Sequence, residues 1–160
     1  MADYEAGNFE GALIKAMINS ERGIEVDQVN AAWMLETDVA DLDMVYHRSR
    51  NASTDRFAVA IEYWRRAADQ GYVDGRTKVG DYYYYGLGMS ARTLEAEEVA
   101  PSLGVWESIL SILGLVPTDT TRRDYVKAAK YYHLASDEHS ALAMFNMGYM
   151  HEHGLGVERV

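Results

Sequence analysis

The sequence predicts an all-α chain, an α-solenoid of antiparallel helix-pair repeats with a helical insertion. Three observations predict it. Three stretches align with one another without gaps, starting at Phe9, Phe57 and Tyr125. Within the second and third, small and aromatic residues recur at i, i+3, i+4 and i+7, the spacing of one helix face. Gly71, Gly86 and Gly154 fall where helical stretches end, as left-handed residues past helix termini do. Self-similarity at long period marks repeat architectures, in which each unit buries its apolar face on its neighbour.

The first unit, residues 1–50, is a divergent helix pair and loop. GNFEGALIKAMINSERGIEVDQVNAAWMLE keeps two helical stretches around Gly23 but has no Gly-x-Gly turn. After it comes Asn51-Ala52-Ser53, an N-glycosylation acceptor triplet in a polar loop. Asn51 is the candidate modified residue.

The second unit, residues 51–88, reads FAVAIEYWRRAADQGYVDGRTKVGDYYYYGLG from Phe57. Ala60, Ile61, Trp64, Ala67 and Ala68 form its first apolar stripe. Gly71 follows as a left-handed residue just past the helix. A second helix runs from about Asp74 to Tyr85 and ends at Gly86. The run Tyr82 to Tyr85 circles this helix, so two rings belong to the core and two to the surface. An exposed pair could anchor a partner.

Residues 89–124 interrupt the array. Related helix-pair repeats have a period near 34 residues, whereas Tyr125 follows Phe57 by 68. About 30 residues are therefore extra. Within them Leu103–Leu115 predicts a helix stopped by Pro117. Val105, Trp106, Ile109, Leu110, Ile112, Leu113 and Val116 share a broad apolar face. Burying seven such side chains would contribute on the order of 10 kcal/mol, an upper bound before ordering costs. Three surfaces could supply the burial: the chain's own solenoid, a partner's helices, or a membrane interface. Trp106 suits the interface, and the lack of Lys or Arg on the polar side argues against strong lipid electrostatics.

The third unit, residues 125–160, reads YVKAAKYYHLASDEHSALAMFNMGYMHEHGLG. Ala128, Ala129, Tyr132 and Ala135 repeat the stripe. His139 stands where Gly23 and Gly71 stand. A second helix runs from about Ser140 to His153 and ends at Gly154. Across the second and third units, Gly80 and Gly148 should let paired helices approach, while Trp64, Tyr83, Tyr132 and Phe145 fill the gaps. Gly86, Gly88, Gly154 and Gly156 form the two Gly-x-Gly turns.

The pattern A-x-x-x-W/Y-x-x-A-A-x-x-G followed by L/V-G-x-x-Y-x-x-G-x-G resembles the Sel-one-like repeat, a relative of the tetratricopeptide repeat. Its defining positions here are Ala60, Trp64, Ala67, Gly71, Gly80, Tyr83, Gly86, Gly88, Ala128, Tyr132, Ala135, Gly148, Gly154 and Gly156. The third copy departs at Ser136, His139 and His151. The resemblance covers about two thirds of the chain and is most specific to the lumenal repeats of adaptor subunits of ER-membrane ubiquitin ligases. It implies an interaction scaffold in the endoplasmic reticulum lumen, close to the membrane. It implies a membrane-embedded ubiquitin ligase and associated degradation factors as partners, with misfolded glycoproteins handed on. It also favours a membrane or partner contact for the helix around Trp106. The chain opens almost directly on a helix and stops just after a Gly-x-Gly turn, as a slice of a longer, membrane-anchored adaptor would. The alternative is a generic scaffold of the same repeat type in another compartment.

Composition narrows the chemistry. The chain carries 25 acidic and 15 basic residues, a formal charge of −10, and no cysteine. Nucleic acid, whose phosphates need a basic footprint, is excluded as a partner. Thiolate metal sites and a cysteine nucleophile are excluded as well. No serine has lysine three residues on, so a Ser-x-x-Lys nucleophile is absent. His151 and His153, two apart on a helix, point about 200° from each other and do not converge on a metal. No enzyme activity, metal or cofactor is expected.

Overall fold

The computed structural model describes residues 7–40, 55–89 and 123–160. They form six helices: α1 (Phe9–Glu21), α2 (Glu25–Glu36), α3 (Arg56–Asp69), α4 (Val73–Tyr85), α5 (Tyr125–Asp137) and α6 (Ala141–His153). Each helix packs chiefly on its neighbours in sequence, α1 on α2, α2 on α3 and so on to α6. That serial packing is what makes a solenoid. Asn51, the predicted helix Leu103–Leu115 and its apolar face from Val105 to Val116 lie outside the described residues.

Side chains start four of the helices. Asn8, Asp55, Asp124 and Ser140 each accept a hydrogen bond from a first-turn backbone N–H, at 2.9–3.4 Å. Such N-caps satisfy donors that a helix cannot pair internally. The predicted start at Ser140 is thus the cap, one residue before α6 itself.

The turn inside each helix pair is built three times in the same way. After α3, Gly71 N–H donates to Ala68 and Tyr72 N–H to Ala67. After α1, Gly23 and Ile24 donate to Ser20 and Asn19. After α5, His139 and Ser140 donate to Ser136 and Ala135. This is the Schellman arrangement, which needs a left-handed residue just past the helix. Gly23 and Gly71 supply it at φ 83° and 99°, and His139 is forced to φ 69°.

The second glycine of each Gly-x-Gly turn has a different reason. A Cβ on Gly88 would sit 2.5 Å from the Ala58 nitrogen, and one on Gly156 would collide with the Tyr125 carbonyl group. Each turn therefore folds back onto the first residues of its own unit's leading helix. Closing the unit on itself requires a residue without a side chain.

The predicted stripes are the core. Ala60, Ile61, Trp64, Ala67 and Ala68 are buried, as are Ala128, Ala129, Tyr132 and Ala135. Leu13, Ala32, Leu35, Val79, Tyr83 and Met150 extend one continuous cluster through all three units. Of the tyrosine run, Tyr82 and Tyr83 are buried, Tyr84 is half-buried and Tyr85 is exposed.

Two expectations need correction. Phe145 fills no gap; it is 71% exposed. Gly80 and Gly148 do not bring together the two helices of one pair. A Cβ on Gly80 would lie 2.6 Å from the ring of Tyr132, which belongs to the next pair, while Gly148 faces open space. The glycine that lets α4 approach its own partner is Gly75, against the backbone at Trp64 and Ala68. Sequence periodicity marked these positions as close-packed but could not say which neighbour each one met.

Candidate interaction surface

The contacts between successive units follow a rule. Gln70, at the end of α3, donates from Nε2 to Gln28 Oε1 on α2 at 2.8 Å. One unit later the same two positions hold Glu138 and Arg76, which form an ion pair. The trailing helix of each unit thus receives the leading helix of the next through matched positions.

The second junction is the better defined. Tyr132 lies over Gly80 and its hydroxyl donates to Asp81 Oδ1 at 2.7 Å. Tyr83 stacks on Tyr131 with ring centroids 5.6 Å apart. Tyr84 meets Tyr125 edge-on, and Thr77 and Ser140 hydroxyls are 3.3 Å apart. Burial raises the Asp81 pKa above its ordinary value, although the Tyr132 hydrogen bond and Lys78 act to lower it. Burial raises the Tyr132 pKa too, reinforced by the hydrogen bond to Asp81. The first junction is more charged at its rim. Lys78 Nζ donates to Glu36 Oε2 at 3.0 Å, and Arg66 pairs with Glu21.

Two grooves open where trailing helices lie side by side. One, of about 450 Å³, runs between α2 and α4, with Val29, Asn30 and Trp33 on one wall and Asp74, Lys78 and Asp81 on the other. Trp64 lines it as well, and Lys78 Nζ sits 5.8 Å from the Trp64 ring centroid. The other, of about 270 Å³, lies between α4 and α6 and is lined by Tyr84, Tyr85, Tyr132, Phe145, Asn146 and Tyr149. Aromatic walls carrying amide and hydroxyl groups suit burial of apolar side chains from a partner, with polar groups fixing register.

His151 Nδ1 lies 3.1 Å from the Glu158 carbonyl, while His153 Nδ1 lies 2.9 Å from the Tyr149 carbonyl, its ring stacked on Tyr149. The two imidazoles are thus engaged separately. Among the described residues no cluster of three or more potential ligands could hold a metal ion.

The structure brings Trp64, Gly80, Tyr83 and Tyr132 together at the junctions and the grooves. Gly71, Gly86 and Gly154 hold left-handed turn positions instead. Reasoning from the sequence missed Trp33, Lys78, Asp81, Asn146 and Tyr149. Their signal was available: they occupy equivalent columns of the repeat alignment, on the turn of the trailing helix beside the close-packed one.

Serially packed helix pairs with aromatic grooves define an α-solenoid repeat protein. Sel1 repeats match residues 45–72, 73–92, 113–140 and 141–160. The chain belongs to the Sel1 repeat family. It is 33% identical to mouse (Mus musculus) protein sel-1 homolog 2, over 98% of this chain and 17% of that protein. It is 34% identical to the Arabidopsis thaliana ERAD-associated E3 ubiquitin-protein ligase component HRD3A, over 96% of this chain and 18% of that protein. It is 28% identical to the Candida glabrata HRD3 ligase component, over 96% of this chain and 14% of that protein. The chain therefore spans less than a fifth of each of these relatives. No solved structure matches it.

Proposed function

We infer that the chain is a protein-interaction segment of an adaptor for an ER-associated-degradation ubiquitin ligase. The observation that carries this reading is the near full-length similarity to several proteins named as components of such ligases. The grooved face supports it physically, because both grooves carry aromatic side chains, with Asp74, Lys78 and Asp81 adding charge to the α2–α4 groove and Asn146 an amide to the α4–α6 groove. In this reading the segment acts by binding, not by catalysis. It docks the membrane-embedded ligase on the lumenal side, works with associated degradation factors, and helps pass misfolded glycoproteins onward.

Co-purification from cells tests it. The full-length protein is tagged and compared with Trp33→Ala/Tyr149→Ala, which empties one wall of each groove. Retention of the ligase by the parent and its loss from the variant is expected. Equal recovery would separate the grooves from ligase assembly, and recovery of no ligase by the parent would overturn the adaptor reading.

Two parts of this proposal rest on sequence alone. The apolar segment Val105–Val116 contacts the ER membrane surface or the membrane domain of the ligase. Flotation with liposomes should recover the parent in the upper fractions and leave Trp106→Asp/Ile109→Asp at the bottom. Equal bottom recovery rejects the membrane contact. Asn51 carries a glycan, so endoglycosidase should shift the parent on a gel and leave Asn51→Gln unmoved. Among the described residues no helix is long and apolar enough to cross a membrane.

A further inference from the structure

We propose that the groove between α2 and α4 binds an extended basic segment of a partner protein, with two arginines three residues apart set against Asp74 and Asp81. The inference rests on the scaffold reading and names the partner chemistry that one of its grooves selects.

The repeat itself shows that the charge in this groove is not a requirement of the fold. One stripe of each trailing helix faces the grooves. On α2 it reads Val26, Asn30 and Trp33, and on α6 it reads Leu142, Asn146 and Tyr149. Both are uncharged. On α4 the same three positions are Asp74, Lys78 and Asp81. All three units contribute to this groove, Trp33 from the first, Trp64 and Tyr72 from the second and Leu142 from the third.

The balance of that charge is negative. Lys78 Nζ donates to both carboxylate oxygens of Glu36, at 3.2 and 3.0 Å, so its charge is already met. Asp74 is exposed and makes no ion pair among the described residues. Asp81 accepts the Tyr132 hydroxyl at Oδ1, a neutral donor that leaves its charge in place and Oδ2 open. Two negative charges are left over, in a chain whose formal charge is −10. They attract a basic partner and repel an acidic one.

The rings narrow the cation to arginine. Trp33 is 42% exposed, and it occupies on α2 the column that Asp81 occupies on α4. Tyr72 precedes Asp74 by two residues; burial raises its pKa, and the charges of Asp74 and Glu25 raise it further, so the negative field reaches the ring. Each carboxylate therefore has an aromatic neighbour in the groove. A guanidinium stacks flat on such a ring and points its donors, in plane, at a carboxylate, whereas an ammonium is a strongly hydrated point charge.

The spacing of the acids sets the spacing of the arginines. Asp74 and Asp81 are seven residues apart on one helix, close to two turns and about 10 Å along its axis. An extended segment covers that length in three residues at about 3.1–3.3 Å each, and in the polyproline-II form residues three apart point the same way. The groove volume of about 450 Å³ accommodates such side chains with the stretch between them.

The test uses the whole chain and an end-capped, fluorescently labelled peptide, Gly-Ser-Arg-Leu-Ala-Arg-Ser-Gly, read by fluorescence polarisation. Saturable binding with a dissociation constant below ~1 mM is expected, weakening as salt is added. Citrulline in place of both arginines keeps the shape and removes the charge, and should weaken binding about tenfold or more. Lysine in both places should bind more weakly than arginine. Asp74→Asn, an exposed and nearly isosteric change that retains the fold, should weaken binding of the arginine peptide about threefold. In two-dimensional NMR the indole N–H signal of Trp33, assigned by its loss in Trp33→Phe, should shift as the peptide is added. No binding, equal binding of the citrulline or lysine peptide, indifference to Asp74→Asn, or an unmoved Trp33 signal overturns the proposal. So does self-association of the parent in sedimentation that Asp74→Asn abolishes, which would assign the groove to a second copy. Ligase co-purification is read on Trp33→Ala/Tyr149→Ala, so failure of the peptide test leaves the adaptor reading standing.

Discussion

Tyr132 reaches over Gly80 to donate its hydroxyl to the Asp81 carboxylate at 2.7 Å, joining the second and third helix pairs. The contact ties together three facts that look separate in sequence: a glycine inside a helix, an acid next to it, and a tyrosine 51 residues away. Helical glycine costs about 1 kcal/mol relative to alanine. Here the missing side chain is the seat of the ring.

Glycine to alanine should therefore have opposite signs at two equivalent positions. At Gly80 the new Cβ would lie 2.6 Å from Tyr132 ring atoms. The ring must move, and its hydrogen bond with it. Overpacking of this kind costs about 1–3 kcal/mol, against about 1 kcal/mol of gained helix propensity. At Gly148 the Cβ meets nothing and only the propensity gain remains. Urea titration should show Gly80→Ala destabilised by up to ~2 kcal/mol and Gly148→Ala stabilised by ~0.5–1 kcal/mol. Destabilisation of both to the same extent would contradict the open face of α6.

The pH dependence of the junction follows from Asp81. Its pKa in the folded chain is raised above 3.8 by burial. A carboxyl group whose folded pKa is raised holds its proton more tightly in the native state. Its contribution is most favourable below the unfolded value and is lost as pH climbs through the folded one. Asp81→Asn keeps an acceptor for Tyr132 and removes the charge. The stability of Asp81→Asn relative to the parent should therefore rise with pH, beginning near 3.8, and then level off. Thermal melts across that window check it, and a falling difference would mean that Lys78 and Tyr132 outweigh burial.

The turn after α5 stores strain. His139 sits at φ 69° where the other two units place glycine. A non-glycine residue in that region costs about 1–2 kcal/mol, part of which glycine gives back through the freedom of its unfolded chain. The His139 side chain is exposed, so little packing is lost. His139→Gly should stabilise the chain by ~0.5–1 kcal/mol in chemical denaturation. Loss of stability would show that the imidazole makes a compensating contact.

The helix pairs and their core were legible in sequence because a repeat states its own rules several times. Ala60, Trp64 and Ala67 match Ala128, Tyr132 and Ala135, and all six are buried. What the pattern could not convey is which surface a position faces. Gly80 and Gly148 occupy the same column, yet one is covered and the other bare, because coverage depends on a neighbouring unit and not on the residue. Phe145 was misplaced in the core for the same reason. The groove residues Lys78 and Asp81 were overlooked because charged residues on a helix are ordinarily solvated. Their role appears only once α2 and α6 stand on either side of α4.

One chemical edit, tyrosine to phenylalanine, should separate structural from idle hydroxyls. Tyr82 and Tyr132 are both buried rings at the centre of the solenoid. Burial raises the pKa of each hydroxyl, so both stay protonated. The Tyr132 hydroxyl is bonded to Asp81. The Tyr82 hydroxyl has no hydrogen-bond partner of acceptable geometry; the Trp64 indole N–H and the Glu36 carboxylate lie near it without closing a bond. Removing a bonded hydroxyl strands its partner, here a largely desolvated carboxylate, at a cost of about 1–3 kcal/mol. Removing an unpaired buried hydroxyl relieves a desolvation penalty of similar origin while the edge-on packing of Tyr82 against Phe57 survives. Tyr132→Phe should lower the denaturation midpoint, and Tyr82→Phe should leave it unchanged or raise it. The Asp81→Asn background supplies the control. With the buried charge gone, the added cost of Tyr132→Phe should shrink, and the non-additivity measures the coupling between the two residues. Full additivity would mean that the hydroxyl and the carboxylate contribute independently, and the junction would then rest on ring packing over Gly80 alone.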